Sequence, residues 1–115
     1  MVRERADAVF CFDTPLTIGN RQRVVEFAAR QRLPAVYALR TFAEAGGLMS
    51  YAADLAVQSG RASSYVDKIL KGAKPGELPV EQPIRFKLVL NMKTSKALGL
   101  AVPPSFMLRV DEVIE

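Results

Sequence analysis

The sequence of 115 residues has no histidine, no tryptophan and a single cysteine, Cys11. Without imidazole there is no Ser-His or Cys-His nucleophile pair, and no zinc site that needs a histidine ligand. One cysteine excludes an internal disulfide framework, and inside a short apolar run it reads as an inert structural thiol. No phosphate-binding glycine loop, GxSxG elbow or metal-ligand cluster is present in the sequence, so a catalytic reading lacks machinery and no cofactor is expected. Long apolar runs are also missing. The best candidate, Ala6 to Phe12, is interrupted by Asp7 and closed by Asp13, far short of the roughly 18 residues a membrane helix needs. The opening segment, MVRERADAVF, carries charges where an export signal needs its apolar stretch. As written, the chain is expected to stay in the cytoplasm.

What is present fits a folded domain. Half the residues are hydrophobic and 24% are charged, with a mean hydropathy of +0.10; a disordered chain would have neither property. A compact domain of this size buries roughly two-thirds of its unfolded surface, enough for an ordinary core. The net charge is +4 and the pI about 9.5. The excess sits at the front: the first 40 residues hold seven Lys/Arg against four Asp/Glu, the remainder nine against eight.

Apolar patterning divides the chain into short alternating elements. Ala6 to Phe12 does not alternate and reads as a buried, parallel strand. The turn DTPLTIGN follows, and Asn20 caps a helix over 21–32 whose apolar stripe is Val24, Val25, Ala28 and Ala29. Leu33-Pro34 stops it. Ala35 to Leu39 is a second strand, so the first 45 residues form a right-handed βαβ unit. Residues 46–115 supply the rest. Gly46-Gly47 makes a turn, Leu48 to Tyr51 a third strand, and Asp54 caps a long helix over 55–71 that ends at Gly72. The expected inner face of that helix is Leu55, Ala62, Val66, Ile69 and Leu70. A proline-rich crossing, AKPGELPVEQP, leads to a strand over 85–90 with one wetter face, near a sheet edge. Two short helices, the first over 94–98 and the second ending at Leu108, and a terminal strand over 110–114 complete the chain.

The stretches RERADAVF, RLPAVYALRTFAEAGGLMSYAADL, YVDKILKGAKPGELPVEQPIRFKLVLNMKTSKALGL and VPPSFMLRVDEVIE, in this order and spacing, resemble the C-terminal part of bacterial ABC-transporter substrate-binding proteins of the tryptophan/tyrosine-binder-like kind. The resemblance implies an α/β fold of Rossmann-like parallel-sheet layers: a partial type I periplasmic-binding-protein fold, with pieces of two lobes. It implies a small amino-acid-like or aromatic ligand, held between two lobes and delivered to an ABC permease, with hinge closure near 40–47 and 74–83. Full-length members of such a family are periplasmic. Because the resemblance covers only the last third or so of a two-lobed protein, a truncated product or excised fragment is expected, with poor binding alone and self-association through exposed sheet edges.

In open α/β sheets, ligands sit beyond the carboxyl ends of the strands. Six residues occupy such places: Asp13 and Thr14 after the first strand, Tyr37 on the second, and Ser50, Tyr51 and Asp54 around the third. The amides of Ile18 to Asn20 stand at the expected start of the first long helix, where a ligand carboxylate is favoured. The tyrosines offer an apolar wall with a polar tip, and Asp13 or Asp54 a counter-ion for an ammonium group. Each has a structural alternative: capping for the two aspartates, a turn for Thr14, core or rim packing for the tyrosines. The basic pI keeps a second reading open, a nucleic-acid-associated or effector-sensing α/β domain. Against it, the arginines read as a solvated helix face without the interleaved aromatics that stack on bases, and no helix-turn-helix pattern appears. No nucleic-acid partner is therefore expected.

Overall fold

The computed structural model describes residues 3–115; Met1 and Val2, at the head of the charged opening segment, lie outside the described residues. The chain forms two compact units, Met1–Ala52 with Lys87–Glu115, and Ala53–Phe86.

The first unit is an α/β layer structure on a five-stranded sheet whose spatial order follows the chain: β1 (Val9–Cys11), β2 (Ala35–Tyr37), β3 (Met49–Ala53), β4 (Phe86–Asn91) and β5 (Glu112–Ile114). β1 pairs in parallel with β2, β2 with β3, and β4 with β5. The β3–β4 seam runs the other way. The Asn91 N–H donates to the Leu48 carbonyl at 2.8 Å, and the Asp54 N–H to the Arg85 carbonyl at 2.9 Å, so residue numbers fall on one strand as they rise on the other. The sheet is therefore mostly parallel, with its one reversal where the chain has passed through the second unit.

Parallel neighbours need crossovers, and short helices supply them. α1 (Pro15–Gly19) and α2 (Arg21–Arg30) join β1 to β2, α3 (Arg40–Glu44) joins β2 to β3, and α5 (Met92–Ala97) and α6 (Pro104–Met107) join β4 to β5. α2 turns Val25 and Ala28 inward, where they pack with Ala35, Tyr37 and Phe42, and with the half-buried Val9, Cys11 and Val24. The Tyr37 and Phe42 rings stack at 5.0 Å with their planes 12° apart.

Helix termination is largely uniform. After α2, α3, α5 and the long helix α4 (Leu55–Leu70), the second residue beyond the helix adopts positive φ, and two successive N–H groups reach back to the last-turn carbonyls. Three of these positions are Gly46, Gly72 and Gly99, as a left-handed residue favours; the fourth is Arg32, with φ 52°. The Arg32 and Leu33 amides satisfy the Ala29 and Ala28 carbonyls, which ends α2 at Arg30, two residues before the expected stop.

Four expectations need correction. The DTPLTIGN segment is not a simple turn: Thr14 caps α1, with Pro15 at the first helical position. β1 is not a fully buried strand but a sheet edge. Val9 and Cys11 face the core, while Phe10 is 54% and Phe12 71% exposed. β4 lies next to the edge strand β5, as expected, but it has no single wet face along its length: the consecutive Val89, Leu90 and Asn91 are all buried. Finally, α4 buries none of its residues, and Leu55, Val66, Ile69 and Leu70 are exposed. Its unit holds a helix and an irregular return segment, which supply no second layer to cover an apolar face.

Within that second unit the return segment is tied to α4 by polar groups. Arg61 Nε donates to Glu81 at 2.6 Å, the Tyr65 hydroxyl donates to the Pro79 carbonyl, and Lys68 Nζ stands 5.4 Å from the Tyr65 ring centre. The Arg61 hydrogen bond holds the Glu81 carboxyl below its ordinary range.

Candidate functional site

The parallel register brings the carboxyl ends of β1, β2 and β3 to one edge. Cys11 lies opposite Tyr37, and Tyr37 opposite Ser50. The residues just beyond that line are the ones a ligand at a strand carboxyl edge would meet: Phe12, Asp13 and Thr14 after β1, and Tyr51 after the Ser50 pairing.

The six candidates separate by what their side chains already do. Tyr37 is 1% exposed and belongs to the core, where burial pushes its phenol up to about 12. Ser50 is likewise buried. Thr14 is the α1 cap: its hydroxyl accepts the Thr17 N–H at 3.1 Å. Asp54 caps α4, accepting the Ala56 and Val57 N–H groups at 3.0 and 3.3 Å. Asp13 and Tyr51 are exposed at the strand edge. The Ile18 and Asn20 amides do not face outward as a helix start. They close the first turns of α1 on the Thr14 and Leu16 carbonyls, at 2.9 and 3.1 Å. α2 starts at Arg21 as expected, but a separate helix, α1, directly precedes it, so those donors are already paired. Cys11 is half-buried, and desolvation raises its thiol pKa, as suits an unreactive sulfur.

Sequence reasoning missed Phe12. It stands at the carboxyl end of β1, its ring edge-on to Phe10 at 5.1 Å and 71°. The signal was available: in an edge strand, Phe10 and Phe12 alternate with the inward Val9 and Cys11. Exposed aromatics and the Asp13 carboxylate thus share one edge, a combination suited to a solute with an apolar body and a cationic group.

The opposite end of the sheet is organised by Asn91, also missed. Buried at 5% exposure, it donates from Nδ2 to the Ala43 carbonyl at 2.9 Å and accepts the Thr94 N–H at 3.1 Å. Thr94 in turn donates to the Gly46 carbonyl at 2.8 Å. An open groove of about 560 Å³ lies here, with Arg32, Glu44, Lys93 and Thr94 among its lining. Glu112, held by Arg40 and Lys87, keeps its carboxyl below the usual range, through the Arg40 hydrogen bond first. Among the described residues, no group of three or more His, Cys, Asp or Glu is placed to hold a metal ion, and no helix is long and apolar enough to cross a membrane.

No curated protein matches the chain. Among solved structures it is similar to an ABC domain in complex with L-Trp from Streptococcus pneumonia, at 26% identity and a TM-score of 0.87, over 98% of this chain and 38% of that one. A conserved domain protein from Vibrio cholerae shares the fold at 22% identity and a TM-score of 0.86, over 97% and 38%. A ligand-free, open substrate binding protein with adhesive properties from Clostridium difficile shares it at 20% identity and 0.69, over 92% and 36%. The chain thus spans well under half the length of each of these three structures. Family membership rests on a firmer match, because the model of ABC transporter substrate binding proteins takes in residues 1–114. With the mostly parallel sheet, its order and its crossovers all in keeping, the chain belongs to the ABC transporter substrate binding protein family.

Proposed function

We propose that the chain is part of a solute-binding component of an ABC transporter, one that takes a small amino-acid-like or aromatic solute and hands it to a permease without chemical change. The observation that carries this reading is the carboxyl edge of β1 to β3. In a chain of this family, that edge presents the exposed Phe12 ring, the Asp13 carboxylate and the Tyr51 ring. The L-Trp complex of the Streptococcus protein supports an aromatic amino acid as the first solute to try. In this reading Phe12 and Tyr51 offer apolar walls, and Asp13 pairs with the solute ammonium. Thr14 shapes the backbone nearby through its cap, and Tyr37 supports the edge from the core. The intact transporter component works in the periplasm and closes about its hinge when solute binds, by differential affinity for the closed form. The matched structures are far longer than this chain, so the chain alone binds weakly, and the exposed Phe10 and Phe12 at the sheet edge favour self-association.

The test is heteronuclear NMR of the 115-residue chain titrated with L-tryptophan at millimolar concentration, a regime that reads weak binding. Chemical-shift changes concentrated at residues 12–14 and 51, and lost in Asp13→Ala, are expected. Titration with each of the common amino acids without a shift at these residues would overturn the reading.

A further inference from the structure

We infer that Thr17 is the positioning residue of this edge: its hydroxyl fixes the Phe12–Asp13–Thr14 turn in the shape that presents Phe12 and Asp13. The inference rests on the ligand reading above and assigns a role to a residue outside the edge itself.

The hydroxyl stands at a crossing of hydrogen bonds. Thr17 Oγ1 accepts the Thr14 N–H at 2.8 Å and donates to the Phe12 carbonyl at 2.8 Å, with the Thr14 carbonyl also near at 3.1 Å. A threonine has one hydroxyl proton, and the shortest donation is to Phe12. The Thr14 hydroxyl lies 3.2 Å from Thr17 Oγ1 and accepts the Thr17 N–H at 3.1 Å. With the Thr17 proton on Phe12, the Thr14 hydroxyl is the donor to Thr17. Every proton in the cycle then has one acceptor.

The consequence is geometric. The carbonyl on one side of Asp13 and the amide on the other are tied to a single oxygen, so the Asp13 backbone is pinned at both ends. In the usual capping box a Glu or Gln reaches back to the cap amide. Here the shorter threonine does that and also reaches two residues before the cap, to the carbonyl of the aromatic that ends β1. An exposed turn held this way enters binding already ordered, which removes an entropic cost from association.

Three forms of the full chain test this: wild type, Thr17→Val, which keeps the shape without the hydroxyl, and Thr17→Ser, which keeps the hydroxyl. L-Tryptophan titrations by NMR are expected to show Thr17→Val binding at least about five-fold more weakly and Thr17→Ser within about two-fold of wild type, with Thr17→Ser melting close to wild type and Thr17→Val melting a few degrees lower through its lost cap. Exchange of the Thr14 amide with solvent should rise about ten-fold in Thr17→Val only. Thr17→Val binding as wild type does, Thr17→Ser failing alongside Thr17→Val, or an unchanged Thr14 exchange rate would each overturn the role of Thr17 and leave the ligand reading standing. A wild-type chain that shows no shift at residues 12–14 or 51 removes the ligand reading, and the role of Thr17 with it.

Discussion

Adding one methyl group at Gly47 should destabilise the first unit, and adding the same group at Gly60 should do the opposite. A Cβ built on Gly47 would stand 2.6 Å from Tyr37 Cε2 and 2.8 Å from the Phe42 carbonyl oxygen, both closer than non-bonded atoms approach. Neither neighbour can step aside. Tyr37 and Phe42 are each 1% exposed and stacked on one another. The Phe42 carbonyl is also the acceptor of the Gly47 N–H at 2.8 Å, the bond that closes the end of α3. Overpacking of this kind costs about 1–3 kcal/mol, offset by about 0.4–1 kcal/mol from the stiffer unfolded chain. The net loss is about 1–2 kcal/mol, which lowers the melting temperature of a domain this size by about 5–10 °C. Gly60 lies within α4 with nothing within 4 Å of the added carbon, so Gly60→Ala should gain about 1 kcal/mol of helix stability. Thermal and urea unfolding, followed by circular dichroism, read both. A third variant locates the cause: in a Tyr37→Leu background, with the ring gone, the penalty of Gly47→Ala should shrink, a coupling that a double-mutant cycle isolates. Gly47→Ala melting at or above wild type, or an undiminished penalty without the Tyr37 ring, would refute the steric argument.

Other outcomes follow from the same structure. Arg32 is the one non-glycine residue at the left-handed position of the four matching helix ends, so Arg32→Gly should stabilise by about 0.5–1 kcal/mol in urea titrations. Asn91→Ala removes the buried partner of the Ala43 carbonyl and the cap of α5, and should cost about 2–4 kcal/mol by the same assay. Tyr37 carries a phenol raised to about 12 by burial. Its protonated form is the one the fold favours, so its contribution is whole below the unfolded value near pH 10 and is lost as pH climbs from there toward about 12. Tyr37→Phe should flatten that alkaline loss of stability, measured as unfolding midpoints against pH.

Much of the fold was legible because periodicity and punctuation agreed. The 3.6-residue stripe of α2, the glycines at 46 and 72, and the Asp54 cap each marked an element that the structure contains. The failures have identifiable causes. Pro15 reads equally as a turn residue and as the first residue of a helix, and only the Thr14–Thr17 pairing decides for the helix. Threonine at the third helical position is not the Glu or Gln that usually signals such a start. β1 was misjudged because burial of a strand depends on its place in the sheet, which a run of apolar residues does not specify. β4 was misjudged for the same reason in reverse: Lys87 and Arg85 near its start suggested a wet face, while its second half, Val89 to Asn91, is enclosed on both sides.

The candidate site was less legible than the fold, and the reason lies in competition for side chains. Residue type and position along the chain pointed to Asp13, Thr14, Tyr37, Ser50, Tyr51 and Asp54 alike. The structure divides them by prior commitment. The hydroxyl of Thr14 and the carboxylate of Asp54 are engaged in caps, and Tyr37 and Ser50 are buried. A capping group that turned to a solute would leave helix-end amides unpaired, at about 0.5–2 kcal/mol each. A solute drawing on these groups would have to repay that loss before it gained anything. Asp13 faces no such loss, and neither does the exposed Phe12 ring, which is why we propose the ligand contacts at the rim of the sheet rather than on the capping residues. The discriminating comparison is Asp13→Asn against Asp54→Asn. Asparagine keeps a capping oxygen at position 54 and is a good cap, so Asp54→Asn should leave both L-tryptophan binding and stability nearly unchanged. Asp13→Asn removes the counter-charge and should weaken binding about ten-fold without moving the melt. Equal loss of binding in the two variants would show that the carboxylate of Asp54, and not only its cap, meets the solute, and would contradict the assignment made from commitment.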